Sequence, residues 1–277
     1  MGRVGRSFQL VAQSYRMLMR DKELMVLPLI SGVIIAAVVA AVVFGFGLNW
    51  GVLDSVEPEA VSRVPPELYA PLFIAYVLMY GIGIFFQAAV VAGATERMRG
   101  GDPTVGSSLA AAARRLGPIF MWAIVAATVG LVIRAIHERV GLVGKIITWL
   151  LGAAWTLGTF FIVPVLVLED RSVRESFGRS VRVFRDTWGE TVVGGTTLGA
   201  ASVCAWLTLV ALTGLIAWAV GPIALVVGGM GAILLMIFFS AMEGIYLASL
   251  YRYATERQTP PGFDSGLLGQ AFTPKRV

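Results

Sequence analysis

The side chains that could do chemistry are few and far apart. Glu243 is an acid inside a long apolar run, and Gln87 is an amide inside another. An ionisable group at such a depth costs roughly 2.5 to 3.5 kcal/mol to insert, so it is normally paired or functional. Protonated, Glu243 would donate a hydrogen bond to a facing helix; ionised, it would need a cation; as a site, it would bind a proton or a substrate. Gln87 is its candidate neighbour. The sole histidine, His137, stands beside Glu138 at the outer end of a span, so neither a two-histidine metal site nor a histidine-bearing triad is supported. Cys204 is the sole cysteine, which rules out an intrachain disulfide and a cysteine-based metal cluster and suits inert packing. Gly141 to Ile146 imitates a phosphate loop, but Arg139 stands where its first glycine belongs and Ile146 where a magnesium-binding hydroxyl belongs. No span carries clustered aspartates for a headgroup-bound magnesium. The expectation is a non-enzyme with no cofactor.

The elements that hold these residues follow from composition. Apolar residues make up 57% of the 277 and charged residues 14%, far from the balance of a soluble domain. A helix needs about 20 apolar residues to cross the hydrocarbon. Six runs qualify: 24–48, 68–94, 116–133, 146–168, 191–220 and 223–250. The first is too long for a cleavable signal and reads as an anchor. Only Gly221 and Pro222 separate the last two, which predicts a tight helical hairpin. The fold class is thus an all-α membrane protein, with one domain over 1–258 and a short, flexible cytoplasmic tail over 259–277.

Charge sets the orientation, because cytoplasmic segments retain Lys and Arg. With the N-terminus inside, all of the 22 basic residues except Arg63, Arg134, Arg139 and Lys145 fall on the cytoplasmic side. Both termini are therefore expected in the cytoplasm, and the scarcity of lysine among these residues suits a prokaryotic cytoplasmic membrane. The basic residues lie in short segments rather than on one soluble face, so the net charge of +5 points to anionic lipid headgroups and away from nucleic acid. Arg114, Arg115, Arg171, Arg174, Arg182 and Arg185 are the candidate headgroup contacts.

A repeat runs through the same segments. Val4, Phe8, Val11 and Tyr15 recur at helical spacing before the first span, Val105, Leu109, Ala112 and Leu116 before the third, and Val173, Phe177, Val181 and Phe184 before the fifth. A serine precedes the second member of each stripe: Ser7, Ser108 and Ser176. This predicts three units, each an amphipathic interfacial helix followed by a transmembrane hairpin. The exits of the even spans also match, with Ala94-Thr95-Glu96-Arg97, Glu169-Asp170-Arg171 and Ala254-Thr255-Glu256-Arg257. Acids and arginines of this kind either mark the membrane boundary or form a ring of pairs that locks the units together. Gly100-Gly101-Asp102-Pro103 breaks the helix after the second exit, and Thr259-Pro260-Pro261 after the last.

Gly5-Arg6-Ser7-Phe8, Ser14-Tyr15-Arg16, Asp21-Lys22-Glu23-Leu24 and Leu27-Pro28-Leu29-Ile30-Ser31 carry a resemblance. The chain resembles a family of prokaryotic six-span membrane proteins known only as a domain of unknown function. In layout it is also similar to the membrane domain attached to some glycerophosphodiester phosphodiesterases. The resemblance implies the fold and no activity, since the family offers no catalytic residues to carry over.

Two functions fit. One is a membrane-embedded binding or transport component for a small or lipid-like molecule, with Glu243 facing a cavity. The other is a non-catalytic scaffold or regulator whose basic interfacial helices hold anionic lipid or an unidentified protein partner. Pro28 and Pro164, inside spans, are expected to kink them, and transporter sites use such breaks. Gly195 with Gly199, Ala154 with Gly158, and Gly228-Gly229 with Gly231 offer close-packing faces.

Overall fold

The computed structural model describes residues 3–50 and 66–256. These form helices α1 (Arg3–Arg20), α2 (Val26–Trp50), α3 (Pro66–Met98), α4 (Val105–Ala113), α5 (Leu116–Arg139), α6 (Leu142–Gly158), α7 (Ile162–Leu168), α8 (Val173–Val220) and α9 (Ile223–Glu256), with no strand among the described residues. A 3-10 turn over Lys22–Met25 joins α1 to α2. Among the described residues six helical segments are long and apolar enough to cross a bilayer: Lys22–Gly45, Glu67–Met98, Leu116–Arg139, Leu142–Leu168, Leu198–Ala219 and Ile223–Glu256. The chain is an all-helical, multi-pass membrane protein. The loop between the first two spans, with Arg63, and the tail expected to be flexible lie outside the described residues.

Proline position explains where these helices start and stop. Pro28, Pro118 and Pro164 each occupy the third residue of their helix, where a missing N–H breaks no internal bond. Pro28 was expected to kink a span; it instead helps to begin one after the turn. The predicted third span also runs further than expected, to Arg139, where Arg134 bonds Glu138 four residues on. No proline lies between Pro164 and Pro222, and there the chain departs most from expectation. The amphipathic segment at 173 and the fifth span are one uninterrupted helix of 48 residues, about 72 Å long at 1.5 Å per residue.

Helix ends follow the local sequence. Thr104 and Ser172 each cap their helix reciprocally, Thr104 with Ser107 and Ser172 with Glu175. Gly100, at φ 85°, ends α3: the Gly101 N–H reaches back to the Glu96 carbonyl and the Gly100 N–H to that of Arg97, with Pro103 beyond. Gly221, at φ 91°, turns α8 into α9.

Burial is concentrated toward the end of the bundle that carries α1, α4 and the last turns of α9. Leu18, Leu24 and Leu27 meet Val90, Val91, Ala94 and Met98 of α3, together with Ile245 and Ala248 of α9, in one core. Gly93 lies under the fully buried Ser108, and Gly244 under Val90, so both sites require glycine for close approach. Beyond this core α8 and α9 pack chiefly on each other. A Cβ at Gly228 would collide with the Thr213 side chain, and one at Gly231 would lie 2.9 Å from Leu209. Gly229 and Gly199 have open space, so only part of each small-residue motif serves packing.

The contrast is testable in one hairpin. Gly228→Val should overpack the α8–α9 contact by about 1 to 3 kcal/mol and lower the thermal midpoint in detergent, whereas Gly229→Val should leave it near that of the parent chain.

Candidate functional site

The fourth span is not one helix. Between Gly158 and Ile162 the backbone leaves helical geometry, because Pro164 has no N–H for the Phe160 carbonyl and its ring crowds that oxygen. Non-helical backbone at this depth is tolerated only where its polar groups find partners or line a cavity. Here one side chain meets most of the need. The fully buried Ser180 of α8 accepts the Phe161 N–H at 3.1 Å and donates to the Gly158 carbonyl at 2.7 Å. The remaining N–H groups turn inward: Thr159 donates to Trp155, Phe160 to Leu157 and Ile162 to Thr159.

A cleft of about 410 Å³ opens against this break. Thr159 and Phe160 form one wall, with Trp155 and Thr156 at the end of α6; α3 contributes Tyr80 and Gln87, and α5 contributes Trp122. Leu198, Gly199 and Ser202 of α8 and Phe239, Glu243 and Tyr246 of α9 close the other side. Gln87 and Glu243, singled out on separate spans, therefore line one cavity. No hydrogen bond joins them, and Glu243 has no hydrogen bond or ion pair among the described residues. Its side chain is accessible from the cleft rather than sealed in packing. The Tyr246 hydroxyl is buried and also without a partner.

Sequence reasoning missed the aromatic walls. Trp122 and Trp155 stack with ring centroids 5.5 Å apart, and Phe177 closes on Trp155 at 5.6 Å. Hydropathy cannot separate such rings from lipid-facing ones. Ser180 did leave a trace: with Ser176 it puts two polar residues, four apart, beside the apolar stripe of Val173, Phe177 and Val181.

At the densely packed end, the acids and arginines of the span exits pair across elements instead of only marking a boundary. Asp21, only 5% exposed, takes both arms of Arg97, with Nε at 2.6 Å, which ties the α1–α2 junction to α3. Arg99 reaches Glu256 at 3.2 Å, and Glu96 accepts from the Ser107 hydroxyl at 3.0 Å. Arg115 donates to the Leu166 carbonyl at 2.9 Å, the Arg171 carbonyl at 2.5 Å and the Asp170 carboxylate. Glu169 gathers Arg171, Arg179 and the Tyr251 hydroxyl. Two of the six candidate headgroup arginines, Arg115 and Arg171, are thus engaged within the protein. Arg114, Arg174, Arg182 and Arg185 are exposed and have no ion pair among the described residues.

His137 joins α5 to α6 through a 2.7 Å bond between Nδ1 and the buried Thr148 hydroxyl. Cys204, expected to pack, is exposed on α8. Among the described residues no group of three or more His, Cys, Asp or Glu side chains converges as a metal site.

Fold and cleft together describe a polytopic helical membrane protein with a mainly apolar cavity, carrying a few polar side chains, at a broken span. Its sequence belongs to a family of unknown function (DUF6159), whose profile matches residues 67–262. No curated protein and no solved structure matches the chain.

Two measurements probe this architecture. Ser180→Ala leaves the Phe161 N–H and the Gly158 carbonyl without partners and should destabilise the protein by about 1 to 3 kcal/mol, read as a lower thermal midpoint. At the ionic end, burial alone would raise the Glu169 carboxyl, but Tyr251, Arg179 and Arg171 together hold it below its ordinary value of 4.5. A carboxyl lowered on folding stabilises the protein above its unfolded value and loses that contribution as pH falls through the folded one. Thermal stability should therefore decline below about pH 4.5, and the decline should be shallower in Glu169→Gln. Equal slopes would remove Glu169 from this account.

Proposed function

We propose that the chain is a membrane-embedded binding or transport component for a small or lipid-like molecule, which sits in the cleft between α3, α5, α8, α9 and the broken fourth span. The convergence of Glu243 and Gln87 on that cleft carries the reading. An intramembrane acid that served only the fold would be expected to bond a facing helix; this one lines the cavity, with no hydrogen bond or ion pair from its oxygens among the described residues. The break also leaves the Phe160 carbonyl without its usual helical donor, and Phe160 is one of the residues that line the cavity; transporter sites use such broken spans. In this reading the protein is not an enzyme. The layout likeness to a phosphodiesterase-linked membrane domain adds no activity.

The same proposal places the ionic end in the cytoplasm of a prokaryotic cell, with both termini there, in accord with the distribution of Arg and Lys. It retains three units, each an amphipathic segment with the hairpin that follows. In support, α4 and α8 both begin with a reciprocal cap and both bury the repeated serine, Ser108 or Ser176, completely. In the third unit the amphipathic segment and span have fused.

A second reading, a scaffold that holds anionic lipid or a protein partner, is favoured by the exposed and unpaired Arg114, Arg174, Arg182 and Arg185. Each such residue near an anionic surface contributes about 1 kcal/mol. The two readings are compatible.

Mass spectrometry of molecules retained by protein purified in mild detergent tests the main reading. A defined molecule should copurify with the parent chain and be depleted in Glu243→Gln; equal retention by both would sink it. For orientation, Cys204→Ser gives a cysteine-free background. On it, Lys145→Cys should react with an impermeant thiol reagent from outside the cell, and Arg174→Cys only after the membrane is opened.

A further inference from the structure

The cleft's lining identifies a chemical class of ligand. Acceptors and π-faces surround it, and positive charge does not. Among the described residues none of the side chains that line it is lysine, arginine or histidine, while Glu243 supplies a carboxyl group. The broken backbone points the same way. The N–H groups of Thr159, Phe160, Phe161 and Ile162 are all bonded within the protein, so none of these four is left for an anion. Pro164 deprives the Phe160 carbonyl of its usual donor, and Phe160 lines the cleft. The last turn of α6, where Trp155 and Thr156 line the cleft, brings the negative end of a 17-residue helix to the same place. Six aromatic side chains, Tyr80, Trp122, Trp155, Phe160, Phe239 and Tyr246, complete the enclosure. Rings of this kind attract cations through their negative faces, most strongly where water is excluded.

We infer that the cleft binds an organic cation, a protonated amine or quaternary ammonium group carried on an apolar body, with Glu243 as counter-ion and the aromatic walls around the apolar part. This deepens the proposal above and rests on it, since it takes the cleft as the binding site. A carboxylate held alone in a low-dielectric wall is unfavourable, and a bound cation removes that penalty as it gains the attraction. The volume of about 410 Å³ suits a compact molecule rather than a whole two-chain lipid.

Tetraphenylphosphonium and tetraphenylborate are nearly identical in size and shape and opposite in charge, so they separate charge preference from apolar fit. Equilibrium dialysis would measure both against the full chain in a neutral maltoside detergent, with protein-free micelles subtracted. The parent chain should bind tetraphenylphosphonium saturably and tetraphenylborate at least about tenfold more weakly. Glu243→Gln, nearly isosteric, should weaken the cation about tenfold or more and leave the anion unchanged, whereas Glu243→Asp should retain most of the preference. Gly199→Trp, at a cleft position where an added Cβ meets nothing within 4 Å, should block both ions. Each variant must elute as the parent does in size exclusion. Equal binding of the two ions, or cation binding indifferent to Glu243→Gln but abolished by Gly199→Trp, would overturn the cation assignment and leave the cleft as the site. Binding indifferent to Gly199→Trp would overturn the cleft itself.

Discussion

A backbone that leaves helical geometry inside a bilayer has no water to satisfy it, and the Ser180 hydroxyl is the group that makes such a departure sustainable here. By accepting from Phe161 and donating to Gly158, it closes the two polar ends that the break in the fourth span would otherwise strand. Pro164 prevents the helix from healing across the gap. The proline forces the break and the serine permits it: Pro164 leaves the Phe160 carbonyl without its helical donor, and Ser180 takes up the polar groups of Gly158 and Phe161 on either side, next to the cleft that Glu243 lines. Without the break, α6 and α7 would form one continuous apolar cylinder with every carbonyl between them held by the helix.

The ionic end answers a different constraint. Short amphipathic helices and span exits meet at this end, and charged groups packed among them need partners within the protein. Asp21 is the clearest instance, a buried carboxylate held by both arms of Arg97. Glu169 does similar work between α7, α8 and α9. These pairs connect segments far apart in sequence and fix the ends of helices whose other halves are more sparsely packed. The weight of packing follows the same gradient, dense where charges lock the helices and sparse across the outer halves of α8 and α9.

Much of this was legible in the sequence, and the rest was hidden for identifiable reasons. Hydropathy located all six spans because the bilayer demands long uncharged runs regardless of tertiary structure. The isolation of Glu243 and Gln87 as polar residues in such runs was equally plain, and their convergence on one cleft agrees with that. The Gly228 and Gly231 contacts follow from spacing, although Gly229 shows that the motif does not say which face is used. Three things required coordinates. The continuity of α8 depends on the absence of a proline, and hydropathy reads a polar segment followed by an apolar one as two elements. The break at 159–161 depends on a serine about twenty residues away, which no local pattern reveals. Arg115 and Arg171 look like headgroup ligands by charge and position, and only the geometry shows them engaged with Asp170, Glu169 and backbone carbonyls.

The unbroken α8 has a mechanical consequence. One rod carries Arg179 on the ionic end, Ser180 at the break, and Gly199 and Ser202 on the wall of the cleft. Its two halves cannot be set independently without bending it, so a tilt that opens or closes the cleft must also shift the Arg179–Glu169 contact and the stitch at Ser180. The helix acts as a lever, and the charge cluster at its foot is where the position of the cleft wall can be read or held.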